Sequence, residues 1–552
     1  VAIEARRREG HQADMRLVFA DRKWLQSPSG DSLINALDTH SMTESAARRK
    51  STIHVRFEDE VLLDLERRLA AGEPAGMTAE EDFVGDRATI SYLGPNTNKA
   101  LHVGHLRNII LGEAMASAFT SAGLHVRRHN MVGDIGRRVG EAMAGYLSFH
   151  EGESPEDAGI PGDRFVELCC RDYSRQRARS SPVEQYDDPN EEERKIFGDL
   201  ADTLLGDWLA GGESEQELWG RMREWVLDGH ADTLARLGTT MDHLDFESVA
   251  IPRATAMLEE GLEQEILERE ESGAVVYRTD RDEYPTMVLV REDGFPTEHA
   301  RLLGAYDHIL EDLRPGEPYM EVCGIEWQPS VTVLCELHER LRPGPLNDTH
   351  VRIYHASVTY SDGEKIGSSV GDVVWVDDLL DEIAAGPGVS VLEDLGEGAV
   401  SREEIADILV RATFLCVPPT RPMAFVREAL VEGRPSPGRT IAEAWCLAQH
   451  AQGENGDAPL ARTAVMQSQQ YRRSLHRTVE KRDISSLSRY LVALSEACLA
   501  APAPGPAARP VLKRVLNSMG FLAGGPAPRS AETRRAQGDA ADSASESEVA
   551  PA

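Results

Sequence analysis

The chain has 552 residues, 41% of them hydrophobic and 28% charged, which supplies apolar mass for several cores and excludes the disordered classes. Its formal net charge of −34 argues against an extended nucleic-acid-coating surface but leaves room for a local basic groove. No run of about 18 apolar residues occurs, so no membrane span is expected.

Residues 1–50 are polar, lack a clear period and read as irregular. No apolar segment follows the basic stretch Glu4–Arg8, so no signal peptide is expected, and the cytoplasm is the expected compartment. Ile53, Val55 and Phe57 alternate as a strand, and Glu60–Leu69 follows with helical spacing. Ala88–Leu93 predicts a second strand, broken by Gly94-Pro95-Asn96. A loop, Thr97–Val103, then leads into a long helix whose apolar stripe includes Leu106, Ile109, Ile110, Met115 and Phe119. Gly123 should stop that helix, and His125–Met131 should return as a strand. Strand, loop, helix and strand in this order open a doubly wound α/β domain.

Residues 141–270 are mostly helical and charged and read as an insertion between two halves of the sheet. Strand signals return at Val275–Arg278, Met287–Val290, Tyr319–Cys323 and Val351–Tyr354. From Ser401 the pattern is helical, with a Pro/Ala/Gly interruption at Ala500–Pro510, and the segment from Pro526 is expected to be disordered. The seven cysteines form no C-x-x-C pair and show no zinc spacing, so buried free thiols are expected.

Two short motifs carry chemistry. His102-Val103-Gly104-His105 sets two imidazoles and a glycine where the loop becomes a helix. A helix N-terminus with imidazole donors suits phosphate charge; the same residues would also serve as a metal site or a helix cap. Lys365-Ile366-Gly367-Ser368-Ser369 puts a lysine on a glycine-containing loop near the end of the sheet domain, either as a movable phosphate partner or as an exposed loop residue.

Taken together, in this order and separated by an insertion, the motifs resemble the HIGH and KMSKS sequences of class I aminoacyl-tRNA synthetases. Gly94-Pro95-Asn96-Thr97-Asn98-Lys99-Ala100-Leu101 running into HVGHLR is similar to the arginyl subclass. So are Met131-Val132-Gly133-Asp134-Ile135-Gly136, the stretch Leu234–Ser248, and Gly371-Asp372-Val373-Val374 followed by Asp377 and Asp378. The resemblance implies a Rossmann-type doubly wound parallel-sheet catalytic domain with a helical insertion, followed by an all-α C-terminal bundle. It implies an irregular N-terminal segment with a short remnant of a tRNA-contacting domain at 1–84 and a catalytic domain at 85–395. A helical anticodon-binding-like domain at 396–525 and a tail at 526–552 would follow.

The same resemblance implies an aminoacyl-tRNA ligase that forms an adenylate from ATP and an amino acid and transfers the amino acid to tRNA. His102, His105, Lys99 and Lys365 would be catalytic. Gly104 and Ser368 would join His102, His105 and Lys365 around ATP, which would bring Mg2+; no separate protein metal site is expected. Asn96, Ser91, Asp134, Glu298 and Leu302 would surround the amino acid. A monomer without membrane contact is expected. The alternative is an inactive, synthetase-like binding or regulatory protein.

Departures from the family pattern concentrate in the amino-acid pocket. Ser91 stands where the family has a glutamate, while Glu298 and Leu302 stand for a tyrosine and an aspartate. A guanidinium side chain would lose its carboxylate partners there, so an amino acid other than arginine is a second expectation. The second KMSKS lysine is missing as well, and Lys99 is expected to take its place. Anticodon reading is expected to be altered; the run Arg472, Arg473, Arg477, Lys481 and Arg482 either tracks a tRNA backbone or forms a solvated helix face.

Overall fold

The computed structural model describes residues 2–4, 15–18, 22–50, 52–73, 83, 86–180, 191–344, 349–360, 373–449, 468, 470–500 and 507–522. Two compact units emerge, woven from alternating stretches of chain. Among the described residues, the first comprises those within 2–93, 102–129 and 309–522, and the second those within 94–101 and 130–308.

The first unit begins with a four-stranded antiparallel sheet, contrary to the irregular reading of residues 1–50. Strands β1 (Ala2–Glu4), β2 (Met15–Val18), β3 (Thr43–Arg49) and β4 (Thr52–Phe57) take the order β1-β2-β4-β3. Helices α1 (Arg22–Leu25) and α2 (Pro28–Asp38) precede β3. Leu25, Ala46, Ile53 and Val55 form its small core with Leu17, Leu33, Ile34, Leu37 and Phe57. Composition hid this layer because the apolar residues are few and β3, TESAARR, exposes most of its side chains. Helix α3 (Asp59–Ala70) follows as expected.

The main sheet is built on β5 (Arg87–Ser91), whose residues after the partly exposed Arg87 are apolar or small because they are buried on both faces. Helix α4 (Val103–Ser121) is buried along most of its length, and β6 (His125–Val132) returns parallel to β5, Ser91 facing His129 in register. Gly123 ends the helix with φ of 101°, a conformation that glycine adopts without steric cost.

The second unit holds the helical insertion: α5 (Arg137–Gly145), α6 (Pro155–Ala158), α7 (Gly162–Ser180), α8 (Glu191–Leu209) and α9 (Glu213–Arg236). Met143, Phe165, Val166, Cys169, Tyr173, Met222 and Val226 are part of its core. Strand β7 (His243–Phe246) and helix α10 (Glu247–Glu263) follow.

Strands β8 (Glu268–Arg269), β9 (Val275–Arg278) and β10 (Thr286–Val290) form a separate three-stranded sheet in the order β10-β9-β8. The expected strands at 275–278 and 287–290 therefore exist but pair antiparallel with each other instead of joining the main sheet. Their short connection explains this, since parallel neighbours need a crossover of a dozen or more residues. Helix α11 (Glu298–Asp312) leaves this sheet.

Back in the first unit, β11 (Tyr319–Gly324), helix α12 (Gln328–Leu341) and β12 (His350–His355) complete the parallel sheet. The order is β12-β11-β5-β6-β7, with β11 parallel to both β5 and β12. Strand β13 (Val358–Tyr360) pairs in parallel with β14 (Met423–Phe425). The rest is helical: Val376–Ala385, Pro387–Leu395, Arg402–Leu415, Arg427–Val431, Pro437–Ala448, Tyr471–Lys481, Ser485–Leu499 and Ala508–Asn517. The last of these absorbs Ala508–Pro510, which sequence assigned to an interruption. Arg472, Arg473, Arg477, Lys481 and Arg482 are all exposed on and just after their helix.

All seven cysteines are free thiols, five of them buried. No described helix is long and apolar enough to cross a membrane.

Candidate active site

In the first unit the motif HVGH builds a helix cap from imidazoles. His102 is the N-cap of α4, with extended backbone at φ −125° and ψ 171°. Its Nδ1 accepts from the Gly104 N–H at 3.0 Å, while the His105 Nδ1 accepts from the His102 N–H at 3.2 Å. This is the reciprocal capping box usually made by Ser or Thr with Glu or Gln. The two rings lie 3.9 Å apart between centroids.

The cap has a chemical consequence. A neutral imidazole whose Nδ1 accepts carries its proton on Nε2, so both rings are held in the Nε2–H tautomer. The backbone donors of the first turn are spent within the protein: Val103 N–H on the Val374 carbonyl, Gly104 N–H on His102, and His105 N–H on the His102 carbonyl. His102 also bridges to Trp375.

Ser91 ends β5, buried, in register with His129 on one side and Glu321 on the other. Lys365 and Ser368 lie outside the described residues.

In the second unit the segment 94–101 is fixed residue by residue. Gly94 N–H donates to the Asn130 Oδ1 at 3.1 Å, Asn96 bridges to Gly133, and Thr97 N–H donates to the Gly133 carbonyl at 3.0 Å. Gly133 lets Asn96 pack close: a Cβ there would collide with the Asn96 Oδ1 and displace that side chain, and would stand 3.5 Å from the Glu247 Oε1. Asn98 reaches Cys170, Ala100 N–H donates to Glu167 at 3.1 Å, and the Lys99 carbonyl accepts from His230 Nε2 at 2.8 Å. Burial pushes the Lys99 ammonium down from its ordinary value, opposed by Glu167 and Glu298, with Arg138 adding to the depression.

Asp134 is fully buried, one carboxylate oxygen accepting from Ser248 N–H at 2.9 Å and the other from Ser248 Oγ at 2.6 Å, with Arg223 at 3.4 Å. Burial raises its pKa, and these partners oppose the rise. Its oxygens are thus used to tie the end of β6 to the start of α10.

Glu298 opens α11, and burial raises its carboxyl against the pull of Arg301 and Lys99. Leu302 is half-buried on the same helix. Between them the structure reveals a pair that sequence reading passed over: Arg301 Nε donates to Glu247 Oε2 at 2.7 Å, and Arg301 Nη1 donates to the Pro296 carbonyl at 2.7 Å. Both side chains are buried, and burial pushes the Glu247 carboxyl up to about 7 even beside the guanidinium. The i, i+3 spacing of Glu298 and Arg301 puts those two on one helix face, but no local signal marks a partner 54 residues away.

Asn96, Gly133, Glu247 and Arg301 therefore form one contiguous cluster, with Glu298 and Lys99 in electrostatic range of it. Among the described residues no group of three or more His, Cys, Asp or Glu is arranged to hold a metal ion.

A parallel Rossmann-like sheet with a helical insertion and a helix-rich C-terminal region matches the architecture of class I synthetases. Thermus thermophilus arginyl-tRNA synthetase superposes with a TM-score of 0.66 at 19% identity, covering 94% of each chain. Arginyl-tRNA synthetase from Plasmodium falciparum gives 0.59 at 13% identity, covering 94% of this chain and 93% of that one.

Residues 82–404, more than half of the chain, match the family model described as "tRNA synthetases class I (R), catalytic domain". The chain belongs to the arginyl-tRNA synthetase family of class I aminoacyl-tRNA synthetases.

Among curated relatives, arginine--tRNA ligase of Treponema denticola is 28% identical over 463 residues, 78% of this chain and 74% of that protein. The arginine--tRNA ligase of Amoebophilus asiaticus is 30% identical over 302 residues, 54% of this chain and 50% of that protein. The chain thus spans between half and three quarters of the length of these two relatives.

Proposed function

We propose that the chain is an ATP-dependent aminoacyl-tRNA ligase: it joins an amino acid to the α-phosphorus of ATP with release of pyrophosphate, then transfers the aminoacyl group to tRNA. The observation that carries this reading is the imidazole capping box at the start of α4. It holds two Nε2–H donors in one tautomer, as stabilising charge that develops on a phosphate requires. Donors that need no reorganisation during the reaction are the main way such a site accelerates phosphoryl chemistry.

In this reading His102 and His105 contact the phosphates, and Gly104 leaves room for the adenine. Lys99, with its depressed pKa, supplies a partly desolvated cation and stands in for the missing KMSKS lysine, alongside Lys365 and Ser368. Mg2+ arrives with ATP as part of the substrate. Asn96 orients the amino acid, Asp134 acts behind it by fixing the end of β6, and Glu298, Leu302 and Ser91 set the side-chain preference. Arginine is the family's substrate; the replacements at Ser91 and Leu302 favour an amino acid without a cationic side chain. The cytoplasm and a monomeric state go with this reading.

ATP–pyrophosphate exchange with a panel of amino acids, with and without total tRNA, tests it. Saturable exchange with one amino acid is the expected result. Arginine as the best substrate would show that the guanidinium site has been rebuilt, and silence in both arms would overturn the enzymatic reading.

A further inference from the structure

Arg107 lies two residues beyond His105 on α4, with no exposed surface. All its acceptors among the described residues are backbone carbonyls. Nη1 donates to Ala356 at 2.7 Å and Ser357 at 3.4 Å; Nη2 donates to Pro418 at 3.1 Å, Pro419 at 3.3 Å and Arg421 at 2.9 Å. Both carbonyl groups come from irregular backbone, 356–357 before β13 and 418–421 before β14. Burying a guanidinium without a carboxylate is costly, and a stretch of apolar residues would serve stability as well. Its rigid fork, however, can hold two separate segments at a fixed spacing, which an apolar side chain cannot.

The segments it holds are already joined to each other. Ala356 N–H donates to the Pro419 carbonyl at 2.8 Å, Met423 N–H donates to the Ser357 carbonyl at 3.1 Å, and β13 continues in register with β14. The histidine end of α4 is fixed separately, through Val103 N–H on Val374. Two described segments, 356–360 and 373–375, are therefore both bonded to the first two turns of one helix.

We infer that Arg107 is a positioning residue that holds the His102–His105 end of α4 in register with β13 and with the turn 418–421 leading to β14. The inference rests on the adenylation reading for its kinetic consequence and on geometry alone for the clamp. Loss of the fork takes one donor from each of five carbonyls; those of Ser357, Pro418 and Pro419 keep a backbone N–H and that of Ala356 keeps His355 Nδ1, so the segments stay joined to each other but lose their tie to α4, which is freed to shift against β13. A displaced histidine pair still meets ground-state ATP but meets the transition state poorly, so kcat falls while KM for ATP holds.

The test uses Arg107→Met and Arg107→Lys in the full chain, with amide exchange and pyrophosphate exchange measured on each. In Arg107→Met, protection of the amides of Val358–Tyr360 and Met423–Phe425 should fall by at least tenfold. Its kcat should fall about 100-fold with KM for ATP within threefold. Arg107→Lys keeps the charge and one set of carbonyls, so it should fold and lose about tenfold in kcat. In a His105→Asn background the Arg107 substitution should cost little more, because it acts through the histidines. Unchanged protection of β13 and β14 overturns the clamp. Full additivity with His105→Asn, or a rise in KM that matches the whole loss, overturns the positioning role. Absence of exchange in the unmodified chain overturns the proposed function instead, and the amide data still decide the clamp.

Discussion

The α4 cap and the cluster around Arg301 solve opposite problems with charged groups. At the cap, two ionisable rings spend one nitrogen each on backbone, which leaves the proton of each neutral ring on Nε2. Around Arg301, a guanidinium and a carboxylate spend themselves on each other in the interior. The first arrangement fixes the tautomer of two side chains at a helix start, whereas the second ties the start of α10 to α11. The expected effects of substitution therefore fall on rate in one region and on stability in the other.

The largest effect is expected at the buried pair. Arg301→Met leaves Glu247 without its partner inside the protein and should destabilise the chain by about 3–5 kcal/mol. Arg301→Met with Glu247→Leu, which removes both charges, should recover most of that. Thermal or urea unfolding of the two variants checks it; equal losses would mean that the pair contributes shape and not charge balance.

At the cap the prediction separates structure from chemistry. His105→Asn retains a side-chain acceptor for the His102 N–H but removes the outer ring donor, so it should fold normally. Its pyrophosphate exchange should drop about 10²–10³-fold, the effect of losing one transition-state donor. His105→Ala should show the same drop and also lose about 1 kcal/mol of stability, the usual cost of an N-terminal cap. A fully active His105→Asn would make the histidines caps alone.

His230 gives a pH-dependent contrast. Its Nε2–H donates to the Lys99 carbonyl, and burial pulls its pKa down to about 4 from an ordinary 6.5. The unfolded chain thus binds a proton that the folded chain refuses. Stability is full above about pH 6.5 and is lost as pH falls from there towards about 4, by roughly 3 kcal/mol from the linkage relation. Glu247 runs the other way: its raised pKa means stability is present below 4.5 and lost as pH rises through about 7. The two partly cancel in the intact chain, so the measurement is the difference between unmodified protein and His230→Gln from pH 4 to 7. The variant's curve should lose the acid-side fall; parallel curves would refute the assignment.

How much of this was legible in sequence follows from the range over which each feature is encoded. Strand, loop, helix and strand across 88–131 could be read because periodicity, Gly94 and Gly123 are local signals. HVGH could be read as a motif, and the cap was among its open readings. Its tautomer could not be derived, since that depends on which nitrogen meets the backbone. Of the N-terminal sheet only β4 was read, from the alternation of Ile53, Val55 and Phe57; the other three strands escaped because short strands with few apolar residues give little period-two signal. The Glu247–Arg301 pair spans 54 positions, and Arg107 finds its acceptors some 250 and 310 residues away. Only the folded chain brings such partners together.

The smallest expected effect bears on which amino acid the pocket prefers. Leu302 is half-buried and follows Arg301 on α11, so Leu302→Asp adds a carboxylate beside a cation already engaged by Glu247 at 2.7 Å. Because Arg301 is held, the new carboxylate remains available to an incoming guanidinium. A charge-assisted hydrogen bond of about 1.5 kcal/mol corresponds to roughly a tenfold gain in kcat/KM for arginine. Exchange with neutral amino acids should change little, so the ratio of the two is the quantity to measure. If the ratio stays constant, the new carboxylate has been neutralised by Arg301 or Lys99, and the side-chain preference is set by Glu298 and Ser91 and not by position 302.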